Sequence, residues 1–278
     1  MPARPEAPVA RELAWLYSRA AQRAPLAALY AIEREIGTSL RPGLDHEVAH
    51  ARLAWWREEC ARCAAGRAVH PFTRELAAAF EPLGGAALAD LTGLVDTAAW
   101  DLACATFATR RELEAYCERW SAAMIEPLGR LAGPAAAPGP LRTFGRNLCA
   151  IELLLALAPD ARLGRLRVPL EELARAGVAP EELAQARWSM ALAVLLRERH
   201  RELRGALAAS VNALGAAAQA TLRGLLVWAA VAASHSRRAQ ALLPRAITAR
   251  DHHAPLDGWR AWRAARRADA GRGLALAD

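Results

Sequence analysis

Apolar residues recur every three to four positions along almost the whole chain. That period is helical, and it limits the fold more than any other feature of the sequence. The composition agrees with it. Hydrophobic residues make up 54% of the chain and aromatics only 6%, so Ala and Leu carry the apolar content. Ala, Leu, Arg and Glu are strong helix formers, whereas the β-branched and aromatic residues that favour strands are scarce. This is too much apolar surface for a disordered chain. The expected fold class is all-α, with residues 1–278 forming one domain. The core is expected at about 10–250, followed by a basic C-terminal helix at about 256–268.

The punctuation of the pattern predicts about ten helices. The first covers 9–23, and Pro25 opens a second that runs to about 40. A long helix at 44–65 has Asp45 as its N-cap and ends at Gly66. Pro71 starts a short helix through Phe80. Thr109 caps a helix to about 131, where TRRE reads as a capping box with Glu112. The segment 132–140 is the clearest loop. Further helices are expected at 141–157, 169–176, 180–208, 213–243 and 256–268, with a loop at 159–167.

Every one of the 36 basic residues is Arg. Without Lys, Schiff-base and P-loop lysine chemistry are excluded. The net charge is +7, and between positions 237 and 272 nine Arg face only three Asp. Such a tail suits an anionic lipid, a diphosphate or simply solvent. No nucleic-acid reader motif accompanies it, so nucleic acid is not an expected partner. Five cysteines at no secreted spacing point to a reducing cytoplasm. The start lacks the pattern of a signal peptide, and no apolar run approaches the ~20 residues that span a bilayer. The expectation is a cytoplasmic protein, soluble or peripheral at a membrane.

His46-Glu47-Val48-Ala49-His50 matches HExxH. Histidines at i and i+4 share a helix face and can bind zinc, with the Glu as general base. The motif sits at a helix start without a third ligand. Glu58 and Glu59 lie at least ~12 Å further along the same helix axis. His46 and His50 are therefore weak metal candidates. Cys60 and Cys63 form a lone CxxC, without the second pair of a zinc site or the strand of a redox site. Trp55 and Trp56 lie ~100° apart on their helix, which places one toward the core and one at its edge.

Several segments carry a family resemblance. They are ALYAIEREI at 28–36, RLAWWREE at 52–59, Gly66 with His70-Pro71, ELEAYC at 112–117, and LCAIELLLALAPDARLGRLRVPLEEL at 148–173. Together they resemble the squalene/phytoene synthase family over about 10–270. The resemblance implies an isoprenoid-synthase-like helical bundle. It also implies head-to-head joining of two prenyl diphosphates, with Mg2+ held by aspartates on facing helices. Carboxylates one turn apart would hold the ions that neutralise the leaving diphosphate.

The chain departs from that pattern where the metals would bind. The first aspartate motif falls on Gly37, Thr38 and Arg41. In the second, Ala156 replaces the first aspartate, Glu152 replaces an Asn, and Asp160, Gly164 and Arg165 match. The Tyr after Gly-Arg-x is Arg167. Asp160, Glu152 and Glu33 are the remaining catalytic candidates. Tyr30, Arg34, Asp160 and Arg165 are the expected ligand-binding residues, with a pair between Arg165 and Asp160 as the competing arrangement. The tryptophan-rich RLxWWRE pattern is more similar to an atypical branch of the family that includes complex I assembly factors.

The main reading is therefore a non-catalytic family member that binds an isoprenoid or lipid, or assists assembly with a protein partner. An active Mg2+-dependent prenyltransferase with rearranged ligands is the alternative, and an HExxH zinc hydrolase is a remote one. Trp259 and Trp262, among Arg260, Arg263, Arg266 and Arg267, make an amphipathic end suited to docking on the domain or on an anionic membrane.

Overall fold

The structure is a computed structural model that describes residues 8–133, 136–246 and 255–274. Fourteen α-helices occur among them. They are α1 (Val9–Tyr17), α2 (Ala20–Gly37), α3 (His46–Ala64), α4 (Pro71–Phe80), α5 (Gly93–Leu102), α6 (Arg110–Met124), α7 (Glu126–Leu131), α8 (Pro138–Leu155), α9 (Leu157–Arg162), α10 (Leu170–Arg175), α11 (Met190–Ala213), α12 (Ala216–Thr221), α13 (Arg223–Leu242) and α14 (Asp257–Asp269). The only β pairing among the described residues is one bridge between Arg187 and Arg245. The fold is all-α. The expected core boundary near 250 lies outside the described residues.

Several local signals act as the residue chemistry predicts. The Asp45 carboxylate accepts from the Glu47 and Val48 amides at 2.9 and 3.1 Å, satisfying two orphan donors at the start of α3. Thr109 accepts from the Glu112 amide at 3.4 Å, and Glu112 returns to the Ala108 amide at 2.7 Å, one residue before the cap. Pro71 occupies the first turn of α4.

Other expectations are corrected. Pro25 does not open a helix. The break falls at Ser18 and Arg19, both extended, and Pro25 lies inside α2 at the cost of one hydrogen bond. Burial of Leu26, Ala28 and Leu29 outweighs that loss. The helix expected over 109–131 breaks at Ile125, because Pro127 lacks the amide that would continue the ladder. The first part of the loop expected at 159–167 belongs to α9, and the α-helix expected from 180 begins only at Met190, where Ser189 caps it. The stretch from Glu81 to Leu102 holds two 3-10 segments and α5.

Apolar side chains from Ala10 to Ala268 join one buried cluster. α6 packs on α8, and α13 packs on α1, α8, α11 and α14. Two glycines inside helices permit close approaches of their neighbours. A Cβ on Gly145 of α8 would meet Ser121 Oγ at 2.0 Å, and one on Gly224 of α13 would meet Ser18 Oγ at 2.0 Å and the Ala14 carbonyl oxygen at 2.6 Å. No helix among the described residues is long and apolar enough to cross a membrane.

Candidate functional site

A cavity of about 190 Å³ opens among α1, α2, α5, α6 and α8, with Arg167 on its wall. Its apolar surface comes from Ile36, Leu40, Leu94, Ala98 and Leu153, and its acids are Glu33, Asp101 and Glu152. Two arginine clusters dominate its polar part.

The first is built around Arg11 of α1. Its guanidinium bonds Glu33 of α2 and reaches Glu152 of α8 at 3.5 Å. It also lies 5.5, 5.8 and 4.8 Å from the ring centroids of Tyr30, Trp120 and Trp228. The indoles complete the cluster, Trp120 donating to Glu33 at 2.7 Å and Trp228 to Glu152 at 3.0 Å. A cation among aromatic faces and two carboxylates is stabilised by both. Burial works against the Arg11 charge, but Glu33 and Glu152 outweigh it and raise the pKa above the usual value. The Tyr30 phenol is held protonated by burial, and its hydroxyl has no hydrogen-bond partner among the described residues.

The second cluster is built around Arg167. It forms a bidentate pair with Asp101 of α5 at 2.6 and 2.9 Å, and Nε donates to Asp160 of α9 at 2.7 Å. Arg165 approaches the other Asp160 oxygen at 3.1 Å. Tyr116 donates to Asp101 at 3.2 Å, and Arg167 lies 5.5 Å from its ring centroid. The Arg167 side chain is only 5% exposed. Burial opposes its charge, while its hydrogen bonds to Asp101 and the charges of Asp101 and Asp160 raise its pKa on balance. Planar bidentate pairing of this kind is an arginine property that lysine cannot supply.

The bend between α8 and α9 makes the two clusters possible. α8 ends at Leu155 and α9 starts at Leu157, so Glu152 and Asp160 serve different arginines. Between the clusters lies the Cys149 thiol. Burial and a hydrogen bond with Cys117 push its pKa well up, which leaves it a poor nucleophile.

The predicted site residues divide. Glu33, Glu152 and Asp160 join the clusters, and Tyr30 packs on Arg11. Arg165 takes the ion-pair arrangement with Asp160. Arg34 lies on the exposed side of α2, away from the cavity. His46 and His50 put their Nε2 atoms 3.0 Å apart on an exposed helix start. Among the described residues, no three His, Cys, Asp or Glu side chains gather as a metal site. Trp56 is buried and Trp55 is 41% exposed, as their spacing suggested. Burial pushes the Cys60 and Cys63 thiols up to about 12. Arg11, Asp101, Trp120 and Trp228 carry no motif that would have singled them out.

The profile of the squalene/phytoene synthase family matches residues 10–260, and the chain belongs to that family. Two solved structures share its fold. A dehydrosqualene synthase, solved in complex with ligand, is 17% identical, with 94% of this chain and 90% of that one covered at a TM-score of 0.72. The squalene synthase HpnC from Alicyclobacillus acidocaldarius is 18% identical, with 82% and 87% covered at a TM-score of 0.62. A search of curated protein sequences found no match.

The magnesium implied by the family does not fit the residues present. Gly37 stands on the cavity wall where a carboxylate would project. Its backbone is ordinary α-helical and the space beyond its Cα is open, so packing does not impose the glycine. The acids that remain already hold guanidinium groups.

Proposed function

We propose that this chain is a non-catalytic member of the squalene/phytoene synthase family that holds an isoprenoid or other lipid in its central cavity. One observation carries the reading: Arg11 and Arg167 between them engage Glu33, Glu152, Asp101 and Asp160. Magnesium binding would have to break these pairs and leave buried guanidinium groups unpaired, at a cost of several kcal/mol each. A bare diphosphate would meet Glu33, Asp101 and Glu152 with both cavity arginines already committed. An uncharged or weakly polar isoprenoid avoids both penalties and keeps the apolar wall covered.

The convergence of Glu33 and Glu152 from facing helices on one cation is the feature that favours the alternative, an active prenyltransferase with rearranged ligands. Incubation with farnesyl or geranylgeranyl diphosphate and Mg2+ separates the two. Diphosphate release is expected to stay at the protein-free background, while native mass spectrometry of protein from its own host detects a retained lipid. Turnover of either substrate overturns the proposal.

A further inference from the structure

We propose that the groove between α13 and α14 binds the headgroup of an anionic phospholipid and seats this end of the molecule on an anionic bilayer. The inference is independent of what the central cavity holds.

α14 docks through Ala261, Ala264, Ala265 and Ala268, all buried. Its bulky side chains therefore point elsewhere. Trp259 and Trp262 are each 52% exposed, and Leu256 at the helix start is 56% exposed. Three large apolar groups at three-residue spacing form one outward edge. Tryptophan at such an edge is the residue type that settles at the polar–apolar boundary of a bilayer.

Beside this edge is a groove of about 130 Å³. Its floor includes Leu226, Ala230 and Ala233 of α13, and its rim carries Arg237, Arg260, Arg263 and Arg267. The acids of α14 are already used. Asp257 pairs with His235 at 2.9 Å and Arg260 at 3.2 Å, and Asp269 pairs with Arg19 and Arg223 at the far end. Arg237 and Arg266 are exposed, and among the described residues no carboxylate pairs with Arg237, Arg263 or Arg266. Arg263 instead lies 4.5 Å from the Trp259 ring centroid. Uncompensated guanidinium groups above an apolar floor complement a phosphate that continues into glycerol and acyl chain. The adjacent tryptophan edge gives the orientation, with α14 lying in the interface plane.

The test is co-sedimentation with phosphatidylcholine vesicles that contain or lack phosphatidylglycerol. The protein is expected to partition onto the anionic vesicles only, and less so as salt rises. Arg237→Glu with Arg263→Glu should lower that partitioning by more than about 25-fold, because each surface arginine contributes roughly fivefold. Arg67→Glu with Arg111→Glu, exposed positions outside the groove, makes the same change in net charge and should have a much smaller effect. Vesicles should also shift tryptophan emission to the blue, and Trp259→Phe with Trp262→Phe should remove the shift. Equal partitioning onto both vesicle types overturns the proposal. So do equal losses from the two charge-reversed pairs, which would reduce the effect to net charge. Saturable binding of inorganic phosphate without vesicle binding overturns it in favour of a soluble anion.

Discussion

His200 of α11 is 1% exposed, and its Nδ1 lies 2.9 Å from Ser236 Oγ on α13. Burial first, and then the nearby Arg204 charge, lower its pKa from 6.5 to about 3. The imidazole is therefore neutral in the folded protein, whereas the unfolded chain takes up a proton as pH falls past 6.5. Stability from this residue is complete above pH 6.5 and is lost progressively toward pH 3. At pH 5 the loss is about 2 kcal/mol. Urea unfolding of wild type and His200→Gln at pH 7 and pH 5 checks this. The variant should lose less stability over that interval, by about the same 2 kcal/mol. At this scale the sequence was only partly legible. Glu152 and Asp160 stood out as remnants of a motif. Arg11, which meets Glu152 from 141 positions away, stood in no recognisable pattern.

Among the elements, the contact between α1 and α13 shows how packing overrides a local preference. Gly224 lies in the first turn of α13, where alanine would ordinarily raise helix stability by up to about 1 kcal/mol. Here the added Cβ would press on Ser18 Oγ and on the Ala14 carbonyl of α1. Backbone cannot give way as a flexible side chain can. Gly224→Ala is therefore expected to destabilise the protein by about 2 kcal/mol. Denaturant unfolding reads the sign directly, and a gain in stability would show that α1 can retreat without cost. Helix ends with side-chain caps, such as Asp45 and Thr109, were legible because capping is local. The bend between α8 and α9 and the break at Ile125 were read through because the apolar period continues across both, although Pro127 gave a local signal at the second.

For the whole molecule, the arrangement of charges around the cavity predicts how the protein answers to metal. A ligand that binds only the folded state adds stability, about 2.7 kcal/mol at a hundred times its dissociation constant. For a chain of this size that would raise the melting temperature by several degrees. With Glu33, Glu152, Asp101 and Asp160 already paired to arginine, millimolar Mg2+ is expected to shift the melting temperature by less than about 1 °C. Differential scanning fluorimetry with and without EDTA measures this. A rise of several degrees would favour the rearranged-ligand enzyme. The result also bears on the net positive charge. None of it lies inside, where Arg11, Arg165 and Arg167 face Glu33, Glu152, Asp101 and Asp160. It stays outside, in part at Arg237, Arg263 and Arg266.

The sequence by itself determined the helical class, the family resemblance and the loss of carboxylates at Gly37 and Ala156, because periodicity and motif spacing are properties of the chain in order. Only the tertiary structure decided what the surviving acids do. Glu33, Asp101, Glu152 and Asp160 lie on four helices, and their partners Arg11 and Arg167 lie elsewhere again. Ion pairs act through space over a few ångströms, so a linear pattern cannot encode which arginine neutralises which acid. The fate of the tail was decided in the same way. Alanine spacing brings α14 against α13, and that contact turns a basic, tryptophan-containing stretch into a groove with an arginine rim.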